Sequence, residues 1–168
     1  MCIRDMRNVH TADDHLSQYH PERLEALKQV IDTCEDENAD VLLIAGDLFD
    51  DNVDVETLKT DLRPLFEDNS FQTYVIPGNH DNTAFRKEDY FGEDIKILSN
   101  TPYESEEFED FRLIALPYTE KDFTEIIDEL PENGSKTDVM MMHCTLSGTQ
   151  GGYGDEERYM PVKPAQIV

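Results

Sequence analysis

The stretch Thr73-Tyr74-Val75-Ile76-Pro77-Gly78-Asn79-His80-Asp81 constrains this chain most. A short apolar strand is stopped by Pro-Gly, which ends a strand and turns the backbone sharply. An amide, an imidazole and a carboxylate follow at once, held at the strand's end. Two earlier stretches are built alike. Asn8-Val9-His10-Thr11-Ala12 runs into Asp13-Asp14-His15, and Val41-Leu42-Leu43-Ile44-Ala45 runs into Gly46-Asp47. The three begin about one βαβ unit apart. In a parallel sheet their polar ends would converge on one edge, where open α/β sheets place their sites.

Between these strands the apolar residues recur at helical spacing. Leu24, Leu27, Val30, Ile31 and Cys34 predict a helix over about 21–37, with Pro21 and acidic residues suiting its first turn. Leu58, Leu62, Leu65 and Phe66 predict a second over about 54–68, with Pro64 as a kink. The five apolar residues Val41–Ala45 read as a strand buried on both faces. Further strands are expected at 95–98, 103–106 and 111–116, and a third helix at Phe123–Leu130, closed by Pro131. Val139-Met140-Met141-Met142 reads as another buried strand, delivering His143. Pro161–Val168 reads as the start of a helix. No linker divides the chain, so residues 1–168 are expected to form one domain, with 1–5 a mis-assigned start or a loose tail.

Composition narrows the setting. Lys and Arg number 14 against 38 Asp and Glu, a net charge of −24. Such an excess repels itself at low ionic strength, and molar salt shortens screening to about 3 Å. The acids are spread along the whole chain, which favours a salt-adapted, halophilic cytoplasmic protein over an acidic tail. No broad basic face is visible to support nucleic-acid binding. Cys2, Cys34 and Cys144 are too scattered for a disulfide framework. No apolar run approaches the ~18 residues of a membrane span.

Asp13, His15, Asp47, Asn79, His80 and His143 lie at four expected strand ends. Carboxylate, imidazole and amide oxygen together suit Mn²⁺, Fe²⁺ or Zn²⁺. The set is too large for one tetrahedral site. A carboxylate bridging two ions roughly 3.5–4 Å apart uses it economically and suits phosphate-ester hydrolysis. Alone, a strand-end Asp is usually a cap or turn residue, and a lone His a satisfied core side chain. Four strand ends agreeing in residue type and order weigh against the bland readings.

The ordered set Asp13-x-His15, Gly46-Asp47, Gly78-Asn79-His80-Asp81 and strand-terminal His143 resembles the calcineurin-like metallophosphoesterases. His10-Thr11-Ala12-Asp13, Ile44-Ala45-Gly46-Asp47-Leu48-Phe49 and Leu116-Pro117-Tyr118 look most like the SbcD-like DNA double-strand-break repair exonucleases. The resemblance implies a layered α-β-β-α sandwich. It implies two divalent ions, Mn²⁺ foremost and Fe²⁺ or Zn²⁺ otherwise, which activate the attacking water. Asp13 and His15 would hold the first ion, Asp47 would bridge, and Asn79 with His143 would hold the second. His80 would sit over the phosphate and assist the leaving oxygen, with Asp81 orienting its imidazole. The resemblance also implies DNA as substrate and an SMC-like ATPase as partner; a homodimer stays open.

The family pattern continues to a His-x-His pair one helix and strand beyond the His143 position, which this sequence lacks. The sandwich is therefore expected to be incomplete at its C-terminal end, the chain being the N-terminal piece of a longer nuclease domain or a truncated product. Two rivals stand beside the exonuclease: a phosphoesterase for nucleotides, cyclic nucleotides or phosphoproteins, and a catalytically impaired binding or assembly module. Other residues carry less. His20 reads as a helix-start residue or a rim contact, and Cys144 should point away from His143's side of the strand. The Gly148–Gly154 loop lacks a P-loop ending and reads as a rim loop. Arg158 and Lys163 are candidate phosphate contacts, and the Glu104–Asp110 acids a solvated face.

Overall fold

The structure, a computed structural model, describes residues 6–85, 89–132, 134–146 and 160–166. Residues 1–5, the glycine-rich stretch 148–154 and Arg158 lie outside them.

Four parallel strands make the first sheet, in the order β1 (Asn8–Thr11), β2 (Val41–Ala45), β3 (Gln72–Ile76) and β4 (Ile95–Ile97). Asn8 is level with Val41 and Val41 with Gln72; Thr11 is level with Ile44 and Ala45 with Ile76. The first three strands therefore stop on one line, and the turns after them share one edge. Helix α1 (Pro21–Asp36) joins β1 to β2 and α2 (Asn52–Leu62) joins β2 to β3. Because the strand order never reverses, both helices cover the same face.

Alternation along the strands assigns the layers. Leu42, Ile44 and Val75 pack with Leu27, Ile31, Cys34, Leu58 and Leu62 from the helices. Val41, Leu43, Ala45, Tyr74 and Ile76 point the other way, onto Phe111, Leu113, Ala115 and Met141 of a second sheet. That sheet runs β5 (Glu104–Glu107), β6 (Phe111–Leu116), β7 (Thr137–Met142), with β5 antiparallel and β7 parallel to β6. Its far face, Ile114 and Leu116, is covered by Phe123 and Ile126 of α3 (Phe123–Ile126). The order is helix, sheet, sheet, helix: the expected sandwich. Each fully buried Leu, Ile or Val contributes roughly 1.5–3 kcal/mol, so the inter-sheet layer fixes how the two sheets' edges meet.

Local chemistry sets the boundaries. Pro21 starts α1 in the first turn. The helix ends where Asn38 turns left-handed (φ 51°) and the Ala39 N–H donates to Cys34 O at 2.8 Å. The second helix stops earlier than its periodicity predicts. Pro64 has no N–H to give, and Arg63–Phe66 tighten into a 3-10 turn that still buries Phe66. The third also stops early: it is a single α-turn, capped by Asp122 with Glu125 and continued as a 3-10 turn over Ile127–Glu129.

Two strand expectations are corrected. β7 is not buried along its length: only Met141 is, and Met140 is 36% exposed. It pairs with β6 alone among the described residues, so one edge is left open, while Val139 and Met141 pack between the sheets and Met142 packs against the outer cluster. Pro161 does not begin a helix. Pro161–Val162 is a short strand, β9, parallel to β8 (Thr145–Leu146), followed by a 3-10 turn at Pro164–Gln166. Among the described residues no helix is long and apolar enough to cross a membrane.

Candidate metal centre

Three strand-end residues take a backbone conformation that side chains normally avoid. Asp13, His15 and Asp47 have φ of 57°, 46° and 53°, beside Gly46 at 92°. Asp and His tolerate this region better than most residues, yet such positions cost of order 1–3 kcal/mol each and cluster at functional sites. Backbone hydrogen bonds hold them there. The N–H of Asp13 donates to Gly46 O (3.1 Å), that of His15 to Asp47 O (2.9 Å) and that of Leu16 to Leu48 O (2.8 Å). The turns after β1 and β2 are thus zipped together, and Asp13, His15 and Asp47 face one space.

Two glycines let the side chains close in. A Cβ on Gly46 would lie 2.4 Å from His143 Nδ1, and one on Gly78 would lie 2.1 Å from Asp47 Oδ1. Both approaches are shorter than any side chain allows, so Gly-Asp and Gly-Asn-His-Asp are steric requirements of the centre.

Asp47 is its hub, 2% exposed. Oδ1 accepts the His80 N–H at 2.9 Å, which leaves Oδ2 for the pocket. Oδ2 lies 3.3 Å from His143 Nε2 and 3.8 Å from His15 Nε2. His143 arrives from the second sheet, and its Nδ1 is 3.0 Å from the Ala45 carbonyl. A carbonyl only accepts, so Nδ1 carries the proton and Nε2 offers a lone pair. That lone pair faces Asn79 Oδ1 at 2.9 Å as well as Asp47 Oδ2. Three acceptors aimed at one another require a cation or a proton between them. Burial pushes the His143 pKa down, but the Asp47 carboxylate, the Ala45 carbonyl and Asp13 together outweigh it and hold that pKa above its ordinary value. Burial raises the Asp47 pKa, but hydrogen bonds from the His143 ring and the His80 N–H bring it below the ordinary carboxylate value. The donor set fits a divalent ion.

Ligand atoms of Asp13, Asp47 and His143 lie within 4.8 Å of one another, as do those of His15, Asp50 and His80. His15 Nε2 is also 4.0 Å from Asp13 Oδ1, so the two groups are neighbours. The structure thus brings together all five expected ligands, Asp13, His15, Asp47, Asn79 and His143. They line an open cavity of about 660 Å³, with His80 among its walls.

His80 is exposed, and its Nδ1 lies 3.0 Å from the Asp50 carbonyl. The proton is again on Nδ1, leaving Nε2 as the free nitrogen. The expected partner, Asp81, does not orient this ring. Asp81 is fully buried, and its oxygens accept the N–H groups of Gly78 (2.7 Å) and Phe49 (3.1 Å). It staples the turn after β3 to the turn after β2. Burial pushes its pKa up against those donors.

Asp50 was not singled out by the sequence, though it stands three residues after Asp47. Its carbonyl meets His80, and its Oδ1 lies 3.2 Å from His15 Nδ1, off the line of a hydrogen bond. His10 also lines the cavity, from β1. Cys144 lines it too, yet packs with the outer cluster of the second sheet. His20 does not reach the cavity wall; its Nδ1 sits 2.9 Å from Glu22 at the start of α1.

The chain is 30% identical over 178 aligned positions to "Uncharacterized metallophosphoesterase YhaO" of Bacillus subtilis (strain 168). The match covers 89% of this chain but 43% of that protein, so the chain spans under half of its relative's length. Among solved structures it resembles the Pseudomonas putida nuclease MPE, with a TM-score of 0.44 and 18% identity over 80% of this chain and 60% of that one. The profile of the Calcineurin-like phosphoesterase family matches residues 6–164, and the chain belongs to that family.

Proposed function

We propose that this chain hydrolyses DNA phosphodiesters with the help of two divalent ions, Mn²⁺ foremost, as a DNA-repair exonuclease of the SbcD-like kind. One observation carries the hydrolytic reading: Asp47 Oδ2 stands between His15 Nε2 and His143 Nε2 while Oδ1 is occupied by a backbone N–H. That is the posture of a bridging carboxylate. Asp13 and His15 would hold one ion with Asp47, and Asn79 and His143 the other. What such ions supply when bound is a lowered pKa for water and positive charge against phosphorus.

The rest falls to the chain itself. Asp13 and Asp47 line the cavity, and Asp50 stands behind His15 and His80; these carboxylates would repel a phosphodiester unless offset, so substrate binding depends on the cations. His80, fixed through Nδ1 by the Asp50 carbonyl, presents Nε2 at the rim; in the doubly protonated ring the Nε2–H can donate to a phosphate oxygen or protonate the leaving oxygen, the ring returning to its Nδ1–H form. The buried Asp81 keeps the turn that carries His80 in register with Asp47.

DNA as the substrate, a repair role and an SMC-like ATPase partner are supported by the resemblance of the flanking motifs, His10–Asp13, Ile44–Phe49 and Leu116–Tyr118. The test compares Mn²⁺-dependent hydrolysis of end-labelled linear duplex DNA with that of a small aryl diester, a cyclic nucleotide and a phosphopeptide. Release of nucleotides from DNA ends supports the reading. Turnover of the small substrates with intact DNA overturns the nuclease claim and leaves the phosphoesterase.

A further inference from the structure

We propose that Arg23, on the first turn of α1, is a positioning residue for the metal centre: it locks the left-handed His15 in place and holds Asp50 against that histidine's ring. The proposal rests on the metal-centre reading above and deepens it.

The backbone creates the need. His15 has φ 46°, and the zipper on either side of it uses the N–H groups of His15 and Leu16. On the return path, the Asp50 N–H donates to Leu16 O at 3.0 Å. The His15 carbonyl lies between these bonds and receives none of them. Arg23 supplies its partner, Nη1 donating to His15 O at 2.6 Å. A partly buried carbonyl at a strained residue is a costly group to leave unpaired.

The same nitrogen lies 3.5 Å from Asp50 Oδ2, and Asp50 Oδ1 lies 3.2 Å from His15 Nδ1. Arg23, Asp50 and His15 therefore close a triangle, backbone on one side and ring on the other. Asp50 Oδ1 makes no hydrogen bond to Nδ1; its charge beside that nitrogen favours the Nδ1–H tautomer and leaves Nε2 toward Asp13 and Asp47. Since the Asp50 carbonyl also holds His80, Arg23 ties the first turn of α1 to both histidines of the rim. The His15 and His80 rings stand edge to face, 4.8 Å between centroids, so a shift of one is felt by the other. An ordinary surface arginine would make none of these contacts; this one is only 33% exposed.

The experiment uses the whole chain as Arg23→Met and Arg23→Lys. It reads Mn²⁺ affinity by calorimetry, the exchange-coupled signal of the Mn²⁺ pair by electron paramagnetic resonance, thermal midpoint, and kcat and KM on whichever substrate the wild type turns over. Expected for R23M are Mn²⁺ affinity lower by roughly 10–100-fold, an altered or lost coupled signal, a fall in kcat and little change in KM. R23K, which can still reach the carbonyl, should recover part of the affinity and signal. If R23M does not fold, R23K alone decides: an intermediate affinity supports the proposal and a wild-type one overturns it. Unchanged Mn²⁺ affinity and signal in a folded R23M overturn it. So does a raised KM with normal metal binding, which would make Arg23 a substrate contact. A wild type that binds no Mn²⁺ refutes the metal-centre reading, a result distinct from either.

Discussion

Asp47 and His143 approach to 3.3 Å, Oδ2 to Nε2, across the join between the two sheets. One comes from the end of β2 and the other from the end of β7, so the inter-sheet core determines whether they meet. Asp47→Asn removes the charge that both His15 and His143 face. The expected result is loss of Mn²⁺ binding at both positions, beyond the roughly 10–100-fold typical of an outer partner. Calorimetric titration checks it; two ions retained at near wild-type affinity would remove Asp47 from its bridging role.

Gly78→Ala should be as damaging without touching a charged group. Its Cβ would meet Asp47 Oδ1 at 2.1 Å and the Asp47 backbone N at 2.4 Å. The side chain could swing away, but the backbone atom belongs to a zipped turn and cannot. Overpacking of this kind costs about 1–3 kcal/mol, or several degrees of melting temperature at this size. A thermal melt and a Mn²⁺ titration read both consequences. A variant with wild-type melting and binding would show that the turn is softer than its hydrogen bonds indicate.

His80 separates chemistry from metal binding. With Nδ1 on the Asp50 carbonyl and the ring exposed, it is free to act on substrate through Nε2, while on the proposed reading the other five residues would hold the ions. His80→Gln is expected to cut kcat by about 10²–10⁴ and leave metal content near two per chain by elemental analysis. Full activity in H80Q would end its assignment as proton donor.

How much of this was readable beforehand follows from which interactions are local. The spacing of Leu27, Ile31 and Cys34 and the apolar run Val41–Ala45 are properties of neighbouring residues, and both became the elements they predict. The sequence overstates the burial of β7, because Met140 and Met142 look like core residues while their exposure depends on which strands flank them. Asp81 was assigned to its sequence neighbour His80. Its true partners are the amide of Gly78, three residues back, and that of Phe49, across the turn. Nothing in the spacing marks Arg23 and Asp50, because their importance depends on a left-handed φ at His15, which no spacing rule encodes. The Gly-Asp-Leu-Phe-Asp spacing was the available signal for Asp50: a turn that reverses at Asp47 brings the residue three positions on back to the same rim.

The second sheet carries a pH-dependent tie of its own. Arg112 and Asp138 are register partners on β6 and β7, joined by two 2.8 Å hydrogen bonds, Nε to Oδ1 and Nη2 to Oδ2. The Arg112 guanidinium holds the Asp138 pKa below its ordinary value. A carboxyl with a depressed folded pKa contributes stability above its unfolded pKa and loses it as pH falls through the folded one. Asp138→Asn should therefore melt below wild type at neutral pH, and the gap should close as the pH falls below the ordinary Asp range. A gap that persists under acid would mean the pair acts through packing instead of charge.

Salt should act on the whole molecule in the opposite sense to its action on such pairs. With a net charge of −24, the described residues make ion pairs such as Lys59–Asp89, Lys96–Glu106 and Arg112–Asp138, but most acids have no cation available: 14 Lys and Arg stand against 38 Asp and Glu. Screening weakens the few attractions and the many repulsions together, and the repulsions outnumber them. Raising KCl from about 0.1 M, where the Debye length is about 10 Å, to above 1 M, where it is about 3 Å, should raise the melting temperature of the metal-free protein. At this size each kcal/mol recovered appears as about 2–4 °C. Within the Glu104–Asp110 run, Glu106 and Glu107 are paired with Lys96 and Lys136. Repeating the melts after neutralising the exposed Glu109 and Asp110 should flatten the dependence, since fewer like charges remain to be screened. A melting temperature that falls steadily with KCl would show that the local ion pairs dominate, and that the acidic composition does not adapt this fold to salt.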